Sequence, residues 1–243
     1  MHATELDRLA MRERPEGSPI MYQNWDNLLF MHWPIDVATI RPLIPEPLEI
    51  DTFQEQAWIG ITPFAMNGVR FVALPAVPGL DSFLELNVRT YVHHNGIPGV
   101  WFFSLDASKL IPSVAARILF DLPYFKAEMQ FTDSDTEFQF RSRRAVSPRA
   151  RFRARWQPGK PLGETIPESL EFFLVERYAL FAGTSDRLST ARIYHRPWLL
   201  NEAAVLSHES TMIECLGIPE PSGAPLVHFS LSRNVEVWAP QKL

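Results

Sequence analysis

Glu85, Asn87 and Arg89 recur at two-residue intervals in the stretch FLELNVRTYV, residues 83–92. Successive side chains of a β-strand point to opposite faces, so this spacing puts a carboxyl, an amide and a guanidinium on one side. Together they suit a small organic acid. The planar fork of Arg89 can hold a carboxylate, Asn87 can contact the same ligand, and Glu85 can act as general acid and base. Tyr91 and His93 continue that face, while Leu84, Leu86, Val88, Thr90 and Val92 form an apolar one. If only the apolar face packs inward, the charges are merely solvated. If the sheet closes on itself, they line a cavity.

Two further segments carry reactive groups. In LPYFKAEMQF, Lys126 is surrounded by apolar and aromatic residues and shares its strand face with Tyr124. Desolvation disfavours an ammonium ion, so a lysine in such a pocket becomes an amine nucleophile, and Tyr124 can donate to a developing oxyanion. The competing reading lets the amine reach water or pair with Glu128 on the same face. The other lysines, Lys109, Lys160 and Lys242, sit in polar or turn-like contexts. In IYHRPW, His195 precedes Pro197 at a strand end and is a site candidate where a cavity opens beside it. Glu176, Arg177 and Tyr178 are adjacent and, on a helix, cannot share a face, which assigns them capping and packing contacts.

Other chemistry is not written here. No phosphate-binding glycine loop, dinucleotide fingerprint, G-x-S-x-G elbow or H-E-x-x-H pair occurs, and no cofactor is implied. One cysteine, Cys215, makes a thiolate metal site untenable, no histidine spacing supports a metal, and the lone thiol suits a reducing compartment. The loudest charge feature is Arg149, Arg151, Arg153 and Arg155 on one strand face. Phe152 and Trp156 point the other way, so the arginines lack the stacking aromatics of an RNA platform and read as a solvated outer face. A net charge of −5 offers no global attraction to nucleic acid or anionic lipid. No signal-peptide core or membrane-length apolar run is present, and the expected location is the cytoplasm. The expected partner is a small-molecule ligand or substrate, with a homo-oligomer as an option.

The elements that must position these residues are mostly strands. The chain has 243 residues, 46% of them hydrophobic, enough for one large core without disulfides. Its 21 prolines are spread as turn punctuation and mark no linker. Residues 1–20 read as an N-terminal arm, helical or loose, and 21–243 as one domain. NLLFMHW, QAWIGITPFAM and VRFVAL read as strands. The Asn95-Gly96 turn makes 83–107 a hairpin. Asp36 caps a short helix in PIDVATIRPLIPEP, and helical spacing recurs over 111–120 and 167–183. YFKAEMQF, TEFQFRSRR and RARFRARW read as three successive strands.

NLLFMHW, LIPEPLEIDTF, AWIGITPFAM, FLELNVRTYV, GVWFFSLDAS, LPYFKAEM, FLVERYALF and HRPW, in order across residues 24 to 200, resemble the YqjF-like family of bacterial proteins. That family is similar to acetoacetate decarboxylase. The resemblance implies an α+β, mainly antiparallel fold: a strongly curved sheet closing as a flattened barrel or cone, with a few outer helices. The decarboxylase motif F-G-F-P-K-K-L-A-E aligns with FDLPYFKAE, which keeps Phe120, Pro123, Ala127 and Glu128. Its two lysines fall on Tyr124 and Phe125. Lys126 lies two residues beyond the Schiff-base position. Glu85 resembles the decarboxylase's pocket glutamate, and Asp26 stands where its substrate-side arginine is expected, leaving Arg89 and Arg117 as replacements. On this reading the charged face lines the barrel, the apolar face packs on outer helices, and Glu85 and Arg89 share one polar network. Lyase chemistry on a small keto or carboxylic acid, or ligand binding without turnover, follows.

Overall fold

The computed structural model describes residues 3–72, 79, 81–109, 120–134 and 136–243. The chain starts with a short helix α1 (Glu5–Ala10), capped by a reciprocal Thr4–Asp7 box. Strand β1 (Met21–Ile35) follows, then helix α2 (Val37–Ile40), β2 (Glu49–Ile50), β3 (Ala57–Phe71), β4 (Phe83–His94) and β5 (Ile97–Ala107). After β6 (Tyr124–Lys126) come β7 (Glu128–Asp133), β8 (Phe138–Arg144) and β9 (Ala150–Glu164). Helix α3 (Leu170–Val175) leads into β10 (Ala179–Thr184), β11 (Arg187–Tyr194), β12 (Leu199–Ser210), β13 (Leu226–Val237) and β14 (Gln241–Lys242).

All these strands belong to one sheet, mainly antiparallel, with parallel joints where β5 meets β10 and β6. Its path runs β11-β10-β5-β4-β3-β1-β13, and β13 also pairs back to β11 through Ile193↔Val237 and Tyr194↔Glu236. Seven strands therefore close a ring. From β13 the sheet continues outward as a flap, β12-β9-β8-β7.

The β4–β5 hairpin forms as its turn residues dictate. Asn95 and Gly96 both take positive φ, 48° and 80°, the twist that a two-residue hairpin needs and that Asn-Gly tolerates best. With the turn set, period two does the rest: Glu85, Asn87 and Arg89 face the ring interior, and Leu86, Val88 and Val92 face out. The outward face is covered by the flap. Phe138, Phe140, Phe152 and Trp156 of β8 and β9 pack with those β4 residues in one buried cluster. A side chain of this size contributes about 1.5–3 kcal/mol when fully buried. The sequence reading assigned this cover to outer helices. The described helices span four to six residues each, too short for the task, and the sheet covers itself instead.

The flap explains the arginine stripe. From residue 149 into β9 the burial alternates, with Ala150, Phe152, Ala154 and Trp156 inside and Arg149, Arg151 and Arg153 exposed. Arg155 and Arg143 are tied to Glu137 and Glu128 on the same outer side.

The helix expected over 167–183 is interrupted. Ser169 caps α3, its Oγ accepting from Phe172 N, but the helix ends at Val175 and the chain becomes strand at Ala179. Two charged residues cause the break. Glu176 and Arg177 are both buried and turn to separate partners, which a continued helix would not allow. The helix expected over 111–120, and with it Arg117, lies outside the described residues except for Phe120.

Candidate functional site

The ring encloses a cavity of about 90 Å³. That space has room for several waters or a small organic molecule. Its wall is mostly apolar, from Leu28, Phe64, Phe102, Leu105, Leu122 and their neighbours, with a few polar groups set into it. Apolar walls with sparse polar groups are the usual make-up of a small-molecule site.

At one end sit Glu85 and Tyr124. Tyr124 lies on β6, which pairs with β5 opposite Leu105, and its Oη donates to Glu85 Oε2 over 2.8 Å. Asn87 hydrogen-bonds the same carboxyl group, while its Oδ1 has no partner. Burial raises the Glu85 pKa to about 8; the contacts with Tyr124 and Asn87 oppose that rise, and Asp106 on the other face of the sheet adds to it. At neutral pH Glu85 is therefore mostly a neutral acid, the state a general acid requires. Burial, reinforced by the nearby Glu85, holds Tyr124 well above the ordinary phenol range, so it acts as a donor.

The other end is basic. Arg89 is 8% exposed, and its Nε and Nη2 are buried without a hydrogen-bond partner. It makes no ion pair among the described residues; its guanidinium carbon stands 5.5 Å from the centre of the Phe30 ring and 6.0 Å from that of Tyr91. Glu85 and Arg89 do not share a network, contrary to the sequence expectation. Four residues of strand span about 13 Å, whereas the close i,i+4 contact belongs to helices. The two groups mark opposite ends of the cavity.

Arg177 also lines the cavity, and reading it as a packing residue missed it. Its Nε donates to Phe173 O and its Nη1 to Asp51 Oδ2, at 2.7 Å each, leaving Nη2 buried and unpartnered. Arg8 of α1 reaches the same Asp51 with two bonds of 2.6 and 2.7 Å. Burial works to raise the Asp51 pKa, but Arg177 and Arg8 outweigh it and hold the carboxylate below its usual range. The signal available in sequence was an arginine inside an otherwise apolar run, FFLVERYALF. Only the fold brings it to Arg89.

His195 does line the cavity. Its ring stacks on Tyr178 at 4.5 Å, Nδ1 lies 2.8 Å from Arg196 O, and burial lowers its pKa, leaving it neutral. Behind the cavity, Tyr91 donates to Leu174 O and contacts His32 Nε2, with 2.8 Å for each. Burial, then Arg89 and His228, pushes the His32 pKa well down. No group of three or more His, Cys, Asp or Glu side chains among the described residues is placed to hold a metal.

Lys126 does not join the site. It is exposed at the end of the three-residue β6, and its ammonium donates to Ser108 O. The shared direction expected from Tyr124 is lost because the strand ends there and the side chain turns to water, the snorkelling alternative. None of the four lysines lines the cavity: Lys109 binds Gly79 O and Ser82 O, and Lys160 and Lys242 are exposed. Asp26, at the position of the decarboxylase arginine, is held by Asn67 and Ser232.

The closed, mainly antiparallel ring is the fold of acetoacetate decarboxylase-like proteins. An acetoacetate decarboxylase-like enzyme from Sphingomonas wittichii RW1 superimposes with a TM-score of 0.66 over 93% of this chain and 94% of that one, at 12% identity. The enduracididine biosynthesis enzyme MppR, solved with pyruvate, gives 0.65 over 95% and 93%, at 11% identity. Within that fold the chain belongs to the DUF2071 family of uncharacterized conserved proteins, whose model matches residues 22–234. The uncharacterized protein YqjF of Bacillus subtilis is 39% identical over 228 residues, 94% of each chain.

Proposed function

We propose that the cavity binds a small keto or carboxylic acid, with Arg89 holding its carboxylate and Glu85 and Tyr124 serving its carbonyl or hydroxyl end. The observation that carries this reading is Arg89: it lines the cavity, and its buried Nε and Nη2 have no hydrogen-bond partner. An unpaired buried charge is costly, and an anionic ligand relieves the cost. Glu85, protonated at neutral pH, can give its proton to a carbonyl oxygen while Tyr124 steadies the developing charge. This is proton-transfer chemistry on the substrate's own carbonyl. It needs no amine, and no lysine lines the cavity to form an imine.

The keto-acid class has support from fold relatives, since MppR is described with pyruvate. A second reading, binding without turnover, is favoured by the same lack of a lysine nucleophile.

The test is calorimetric titration of pyruvate, acetoacetate and butyrate, followed by NMR of the methyl protons in deuterated buffer. Binding that is weakened at least tenfold by Arg89→Met supports the site. Deuterium exchange or loss of carbon dioxide, abolished by Glu85→Gln, identifies an enzyme; binding alone identifies a binding protein. Carboxylate affinity indifferent to Arg89→Met removes the proposal.

A further inference from the structure

We infer that the preferred ligand is a short dicarboxylate, one carboxylate held by Arg89 and the second by Arg177. The inference rests on the proposed carboxylate site and narrows its ligand class. Both guanidiniums line the cavity and stand over the same Tyr91 ring, 6.0 and 4.7 Å from its centre. Each keeps N–H groups buried and without partner: Nε and Nη2 on Arg89, Nη2 on Arg177. Trp198 adds a fourth buried, unpartnered donor, Nε1, from a residue that also lines the cavity.

The count of charges points the same way. Arg177 has Asp51 as counter-ion, but Arg8 claims that carboxylate with two bonds of its own. Arg8 also has Glu5 3.8 Å from its Nε, whereas Arg177 has only its share of Asp51 and Arg89 has no carboxylate partner among the described residues. Glu176, the other buried carboxylate nearby, is engaged by Arg12, Thr165, Tyr178 and the Trp198 N–H. Arg89 and Arg177 are thus the two arginines lining the cavity, one without a carboxylate partner among the described residues and one with a shared one. A monocarboxylate can serve one of them; a dicarboxylate serves both. Bidentate carboxylate recognition is what arginine does best. The volume limits the second carboxylate to a short spacer.

The experiment compares acids matched in length, succinate against butyrate and glutarate against valerate, by calorimetric titration of the full chain at pH 7. Monomethyl glutarate, which keeps the length and loses one charge, is the control. The expected result is that each diacid binds at least tenfold more tightly than its matched monoacid, with monomethyl glutarate grouping with valerate. Arg177→Met is expected to bring the diacid preference below threefold. Should that variant fail to fold, Arg177→Lys, which keeps the charge but loses the fork, is expected to reduce the preference as well. Equal or tighter binding of the monoacids overturns this inference and leaves the carboxylate site standing. A diacid preference that survives both Arg177 variants overturns the role of Arg177. Binding of neither class overturns the inference together with the site on which it rests.

Discussion

Arg89 is a charge with no carboxylate partner among the described residues, and on the function proposed above it sacrifices stability for binding. Arg89→Met keeps much of the side-chain volume and removes the unpaired charge. The expected outcome is a ligand-free protein about 1–3 kcal/mol more stable in urea unfolding, alongside the loss of carboxylate affinity. Glu85 makes an independent prediction through pH. Its pKa of about 8 in the folded chain stands above the ordinary 4.5. Between those values the folded state retains a proton that the unfolded state has released, so stability falls as pH rises from 4.5 to 8. Glu85→Gln, which still accepts from Tyr124, should flatten that fall. The variant should match the wild type near pH 4.5 and exceed it by on the order of a few kcal/mol at pH 8. Urea melts across the range measure it. A constant difference between the two proteins would show that Glu85 does not titrate in this way.

The elements that bring these residues together differ in how openly the chain announces them. The β4–β5 hairpin was legible because its signals are local: strict alternation and an Asn-Gly turn. The ring was not, because its closing joints link distant segments, β5 to β10 and β11 to β13, and neither pairing leaves a mark in either strand alone. The 167–183 segment shows the conflict directly, since helical spacing continues through Phe181 while pairing with β5 and β11 claims residues from Ala179 onward. Lys126 was misplaced for a related reason: it is the last residue of the three-residue β6, where its long side chain turns to Ser108 O and water. One glycine guards the closing joint. A Cβ on Gly99 would lie 2.7 Å from Phe181 Cε2 and 2.8 Å from Ala179 O, a backbone atom that cannot step aside cheaply. Gly99→Ala should therefore push β10 from β5, costing about 1–3 kcal/mol as other overpacked sites do. It should also weaken ligand binding, because Ala179 and Leu180 form part of the cavity wall. Thermal melts and titration test both effects.

At the scale of the molecule, the N-terminal segment fastens the site from outside. Arg8 on Asp51 and Arg12 on Glu176 tie residues 3–12 to the two buried carboxylates that hold Arg177 and the Trp198 backbone. Charge-assisted bonds of this kind contribute about 1.5–3 kcal/mol each. Arg8→Ala should destabilise the protein by roughly that amount at pH 7. The loss should fade as pH falls below the ordinary 3.8 of an aspartate and through the lower folded value of Asp51, where protonation removes the partner in both proteins. None of this was visible beforehand, because ion pairs across 43 and 126 residues have no sequence spacing to betray them. The order of the strands has one more consequence, which concerns folding and not the finished state. Among the described residues, every one that lines the cavity except Val237 precedes residue 200, yet the strand that seals the ring is β13. Without the pairings of β13 to β1 and β11 the ring is open, and its acid and its arginines meet water. Glu85 is ionised in the unfolded chain at neutral pH and mostly protonated in the folded one, so folding takes up a hydrogen ion at this residue.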